Sequence, residues 1–283
     1  MKTRILFIFL LVLLVVASGC INQTVVGSGI AINSYIYPSS IYPDSETTLS
    51  IDTQNTDISA VDVNVDVFDS GILVLPDAGC TAQYEKFLPK EIKTLTCKLT
   101  SPPRDRMTQQ STPVNIQYKV TLNKLFSAPI SFYAMSYDEY SKEQQAGTLV
   151  IAPRTYTFSD PNMMIDITFT KDPPFIARES EKVLMYINIQ SLGSGFLKDI
   201  DANNFMIEDN EHILDCDFGR TWLERSNPGT TIAKLTAIKG KFPPITCELN
   251  LDDQENYIRN FIIIIKYNYD YEIRGSVPVT IIK

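Results

Sequence analysis

The sequence predicts an all-β fold: two tandem β-sandwich domains behind an export leader. One sign is strict alternation, in which Val61, Val63, Val65 and Val67 interleave with Asp62, Asn64 and Asp66. That pattern puts apolar side chains on one face and polar ones on the other, as in a half-buried antiparallel strand. A second sign is the recurrence of landmarks along the chain. Ser45-Glu46 matches Ser180-Glu181 at an offset of 135, and Cys80 matches Cys216 at 136. Thr96-Cys97-Lys98-Leu99 matches Thr246-Cys247-Glu248-Leu249 at 150, and Pro129-Ile130-Ser131-Phe132 matches Pro278-Val279-Thr280-Ile281 at 149. The offset grows only between the cysteines, where the second unit carries about 14 extra residues.

The chain opens with Lys2 and Arg4, an unbroken apolar run over residues 5–16, and Ala17-Ser18-Gly19 directly ahead of Cys20. This run falls short of the ~20 apolar residues of a spanning helix and reads as a signal peptide over residues 1–19. It resembles the lipobox of prokaryotic lipoproteins, with Ala17 where leucine is commoner. The resemblance implies cleavage before Cys20, a diacylglycerol on its thiol, and retention at the extracytoplasmic face of the cell membrane. Residues 20–30 are then a lipidated stalk, whose ten residues after Cys20 reach about 33–36 Å if fully extended.

Losing Lys2 and Arg4 moves the formal charge from −8 to −10. An acidic chain without a dense Lys/Arg patch is poorly suited to nucleic acid, which binds clustered cations. Hydrophobic content of 44% is that of a globular protein. Besides Cys20 the chain has Cys80, Cys97, Cys216 and Cys247, an even number that favours disulfides in an exported protein. Three pairings are open; proximity and the repeat favour Cys80–Cys97 and Cys216–Cys247. The C-x-x-C spacing of a zinc site is absent.

Within the first domain, residues 31–135, further strands read at 47–53, 93–100, 114–122 and 128–135, with a hairpin over 123–127. A connector, residues 136–160, contains a short helix signalled by the capping pattern Ser136-Tyr137-Asp138-Glu139 and ended by Gly147. In the second domain, residues 161–283, residues 261–265 are continuously apolar, which reads as a strand buried on both faces. Tyr267, Tyr269 and Tyr271 then alternate with polar residues, and Arg274-Gly275 reads as a turn before the last strand. Short strands with turn signals between them suit a sandwich.

Pro43-Asp44-Ser45-Glu46-Thr47-Thr48-Leu49 and residues 181–195, ending Ser-Leu-Gly-Ser-Gly, resemble the immunoglobulin-like, cell-adhesion-related modules of archaeal and bacterial surface proteins. That likeness implies two tandem immunoglobulin-like sandwiches in an envelope lipoprotein. The core tryptophan of antibody domains is missing, since the sole Trp222 falls in a predicted loop.

Signs of catalysis are few. His212 is the single histidine and sits in the polar run Glu208-Asp209-Asn210-Glu211-His212. No nucleophile elbow, zinc-protease helix motif, P-loop or dinucleotide fingerprint occurs. Asp199-Ile200-Asp201 with Asn203-Asn204, and Asp252-Asp253-Gln254-Glu255, are acidic but lack EF-hand spacing, so no metal or cofactor is expected.

Two surfaces stand out as candidate binding sites. Phe218, Arg220, Trp222 and Arg225 lie in the inter-cysteine insertion and combine the residue types favoured at protein interfaces. Tyr267, Tyr269 and Tyr271 form a stripe of the kind that stacks sugars. The expectation is a non-enzymatic, lipid-anchored surface protein that displays a protein-binding or envelope-organising face. The alternatives are a glycan-binding protein using the tyrosine stripe against surface polysaccharide and, last, a carboxylate-pair hydrolase.

Overall fold

The computed structural model describes residues 23–27, 29–76, 78–107, 109–176, 182–201, 204–209, 213–217, 223–225, 231–251 and 258–283. It is mostly β-sheet and divides into two units. One comprises the chain up to Leu122 together with Ile273–Lys283; the other is Asn123–Glu272. This division differs from the expected one, in which each domain was a contiguous stretch.

The first unit runs β1 (Gln23–Gly27), β2 (Ile30–Tyr37), β3 (Ser40–Ile41), β4 (Glu46–Asn55), β5 (Val61–Asp69), β6 (Thr81–Phe87) and β7 (Ile92–Thr100). The first 12 residues of β8 (Ser111–Met135) follow. One antiparallel sheet has the order β1-β2-β4-β7. In register, Ser34 lies opposite Ile51 and Ile51 opposite Leu95, so Ile32, Ile36, Leu49, Ile51 and Leu95 share the buried face. In the second sheet β8 lies between β5 and the end of β20 (Ile258–Ile282), and β6 closes the edge. β3 pairs in parallel with that end of β20, Ser40 against Thr280 and Ile41 against Ile281. The valines of β5 are buried as the alternation predicts, and Val277, Val279 and Ile281 join the same core. Each such burial contributes roughly 1.5–3 kcal/mol.

β1 corrects the expected stalk. Gln23 to Gly27 pair with Ser34 to Ile30, so these residues are a strand of the sheet, not a tether.

The helix α1 runs Tyr137–Ala146, capped as predicted: Ser136 Oγ accepts from the Glu139 N–H at 3.3 Å, and Gly147 closes it in the left-handed conformation. The second unit follows. β9 (Thr155–Ser159), β10 (Met163–Phe169) and β12 (Val183–Ser191) build one sheet with β16 (Leu214–Asp217) and β19 (Ile245–Leu249), in the order β16-β19-β12-β10-β9. The other sheet places β20 beside β8, with β13 (Phe196–Leu197) and β15 (Phe205–Asp209) on β20. β11 (Phe175–Ile176) pairs in parallel with the end of β8, at Ala134 and Met135, just as β3 pairs with β20 in the first unit. Phe132 of β8 is central to this core, 5.2 Å from Phe169, 5.2 Å from Phe175 and 5.6 Å from Phe261 between ring centres. A further small sheet, order β14-β18-β17, is made of β14 (Ile200–Asp201), β17 (Leu223–Arg225) and β18 (Thr231–Leu235).

Neither predicted turn forms. Residues 123–127 continue β8: Asn123 points outward to Asp270 at 2.9 Å, while Lys124 turns inward to Asp160 at 3.3 Å. Arg274-Gly275 lies within β20, and the glycine serves clearance. A Cβ at Gly275 would stand 2.2 Å from the Tyr118 hydroxyl, whose ring covers it. The expectation of a doubly buried strand at 261–265 also fails, because Ile262 is 53% exposed and only Phe261, Ile263 and Ile265 of that run are buried. Each unit is therefore completed by the final strand of the other half of the chain. Residues 123–135 serve Asn123–Glu272, and 273–282 serve the unit that begins with β1.

Candidate functional site

The four cysteines pair as proximity suggested: Cys80 with Cys97 in the first unit and Cys216 with Cys247 in the second. Cys216 and Cys247 are cross-strand neighbours on β16 and β19. The interval between them is 31 residues against 17 in the first unit. The longer interval holds β17 and β18, so the small third sheet is an elaboration of the second unit.

Of the predicted contact residues, one lies in that sheet. Arg225 ends β17 opposite Thr231 of β18. Phe218, Arg220 and Trp222 lie outside the described residues, as do Cys20, His212, Asn203 and the cluster Asp252-Asp253-Gln254-Glu255.

At the base of this sheet is a cavity of about 500 Å³ lined by Ser191, Phe196, Lys198, Asp199, Gly240 and Asp270, among others. Lys198-Asp199 lead directly into β14, and Ala237 and Gly240 follow β18. Asp270 is engaged on both carboxylate oxygens: it accepts from Asn123 Nδ2 at 2.9 Å and lies 3.7 Å from Lys198 Nζ. Lys198 is also tied through its backbone, its N–H donating to the Asp270 carbonyl at 2.9 Å. The rim is thus a fixed pair of opposite charges beside the half-exposed ring of Phe196, a mixture suited to polar and aromatic contacts. Sequence reading singled out Asp199 as part of an acidic cluster and missed the others. Asp270 was hidden in the polar half of the tyrosine alternation, and nothing local shows that β13 lies against it.

The tyrosine stripe is corrected from surface to core. Tyr267, Tyr269 and Tyr271 are 1%, 1% and 0% exposed, because the odd positions of β20 from Phe261 to Ile273 face the interior. Tyr267 packs against Phe205 at 5.9 Å and Tyr269 at 5.6 Å. Burial, reinforced by the negative charges of Asp270 and Asp199, pushes its phenol well above the ordinary tyrosine range. Tyr269 donates to Asp160 Oδ2 at 2.6 Å and accepts from Asn162 Nδ2 at 3.0 Å. Tyr271 donates to the Leu192 carbonyl at 2.5 Å and accepts from the Gly195 N–H at 2.7 Å. Hydroxyls held this way inside a core present no face to a sugar ring.

Neither comparison with protein-family models nor comparison with curated proteins found a match.

Proposed function

We propose that this chain is a lipid-anchored envelope protein of two immunoglobulin-like modules, held at the extracytoplasmic face through Cys20, and that its second module is the contact face for a protein partner. The observation that supports this reading is the small β14-β18-β17 sheet, an addition to the second unit with no counterpart in the described part of the first. It stands beside a charged and aromatic cavity, and its flanking insertion supplies Arg220, Trp222 and Arg225. Trp and Arg dominate binding energy at protein interfaces because they bury large areas and keep directed polar groups. The Cys216–Cys247 link lies across the strands from which the insertion departs, so the contact face starts from a fixed base. A glycan-binding role through the tyrosines is dropped, since all three are buried.

The test replaces residues 218–230 with a short turn and compares cross-linked partners recovered from native envelopes. The shortened chain is expected to fold, keep both disulfides and lose the partners of the parent. Recovery of an unchanged partner set from the shortened chain would sink the proposal.

A further inference from the structure

The end of the first unit that carries the β2–β3 connection exposes two tyrosines. Tyr37 is 70% exposed and Tyr42 is 65% exposed, although both stand on well-fixed backbone. Tyr37 closes β2, opposite Thr48 of β4. The Tyr42 carbonyl accepts from Ser101 Oγ at 2.6 Å and from the Ser45 N–H at 3.2 Å. Residues 101–107 are bound to the same end: the Asp44 N–H donates to the Pro102 carbonyl, and Lys283 Nζ donates to the Met107 carbonyl at 2.7 Å. Two exposed aromatic side chains are thus held on a rigid rim, where flexible loops would carry small polar residues.

Both signs of charge stand at this end. Lys98 opposite Thr48, Arg104 and Arg106 in the 101–107 segment, and Lys283 supply basic side chains here, interspersed with Asp44, Glu46 and Asp105. The entry of the chain points the same way. β1 begins at Gln23 opposite Ser34 and runs antiparallel to β2, so its first residue faces the Tyr37 end. Gln23 lies three residues past Cys20, a reach of at most about 10–11 Å.

We infer that this end of the first unit rests on the lipid headgroup surface, with Tyr37 and Tyr42 as interfacial anchors and the basic side chains beside them meeting lipid phosphates. Tyrosine suits that boundary because its ring is apolar and its hydroxyl is wet. The inference rests on the reading of Cys20 as the lipidated residue.

The experiment uses the full chain with Trp222→Phe and a single new reporter, Tyr42→Trp, purified from membranes and reconstituted in vesicles containing lipids brominated near the headgroup. Ile58→Trp is the control, since Ile58 is 95% exposed in the same unit but follows β4 at the other end of the strands. Intact mass is measured first. With a lipid adduct on Cys20, emission at position 42 is expected to fall about twofold or more against unbrominated vesicles, as for an interfacial side chain, while position 58 stays unchanged. An adduct with equal, negligible quenching at both positions overturns the inference and leaves the anchor standing. Absence of the adduct overturns the anchor and the inference together.

Discussion

Gly275 shows how one residue can mislead a reading of sequence. Following Arg274 and preceding Ser276, it carries the usual marks of a turn, yet it lies in the middle of a 25-residue strand. What requires a glycine is the ring of Tyr118, whose hydroxyl goes on to donate to Ser34 Oγ at 3.0 Å in the core. A glycine covered by a cross-strand aromatic ring is a known device of sheets, but only the paired strand reveals it. Gly275→Ala should cost about 1–3 kcal/mol by overpacking, and much less when Tyr118→Ala is already present. Denaturant unfolding of the four chains of that cycle measures the coupling; additive losses would show that the two residues do not meet. The tyrosines teach a similar lesson. Alternation correctly put Tyr267, Tyr269 and Tyr271 on one face, but polar neighbours alone do not say whether that face is wet or dry. The acceptors that make burial tolerable, Asp160 and the Leu192 carbonyl, are 79 to 109 residues away in sequence.

At the level of elements, local signals served well wherever the physics is local. The alternating valines of β5, the capped helix α1 and the cysteine pairing could all be read from neighbouring residues. Turn signals failed where a strand simply continued: Asn123 and Ser127 face outward on β8, a position polar residues fill as readily as they fill turns. The cysteine links fasten elements that meet late in the chain. Cys216 joins a four-residue strand to β19 and closes a loop of 31 residues. Its loss, as Cys216→Ala with Cys247→Ala, should lower unfolding free energy by about 3–4 kcal/mol if the link acts mainly by restricting the unfolded chain. The reading is the denaturation midpoint at unchanged slope. A fall below about 1 kcal/mol would mean that β16 is held by its neighbours without the link.

On the scale of the whole molecule, the presence of two units was legible in the sequence, and the way they close was not. Offsets compare a segment with its likeness; they say nothing about which likeness it pairs with. Because residues 123–135 complete one unit and 273–282 the other, a cut in the exposed stretch between Gly147 and Pro153 should not yield two free domains. Each fragment would carry a strand that the other fragment's unit needs. Both disulfides lie within fragments, so they cannot hold the pieces together. A protease site placed there should give two bands on a denaturing gel and a single peak in gel filtration, separating only in denaturant. Two peaks under native conditions would mean that each half closes on its own strand.

The same arrangement bears on biogenesis. Ribosomes make the chain from its N-terminus, so the first unit is nine-tenths synthesised long before its last strand exists. Residues 273–282 follow everything that builds the second unit. Domain-by-domain folding during synthesis, the usual protection of multidomain chains against aggregation, is closed to this protein. A chain that must wait for its final residues is well matched to export in an unfolded state, because folding begins only when the whole sequence has reached one compartment. A lesion in residues 273–282 would first be felt at the unit that begins with β1.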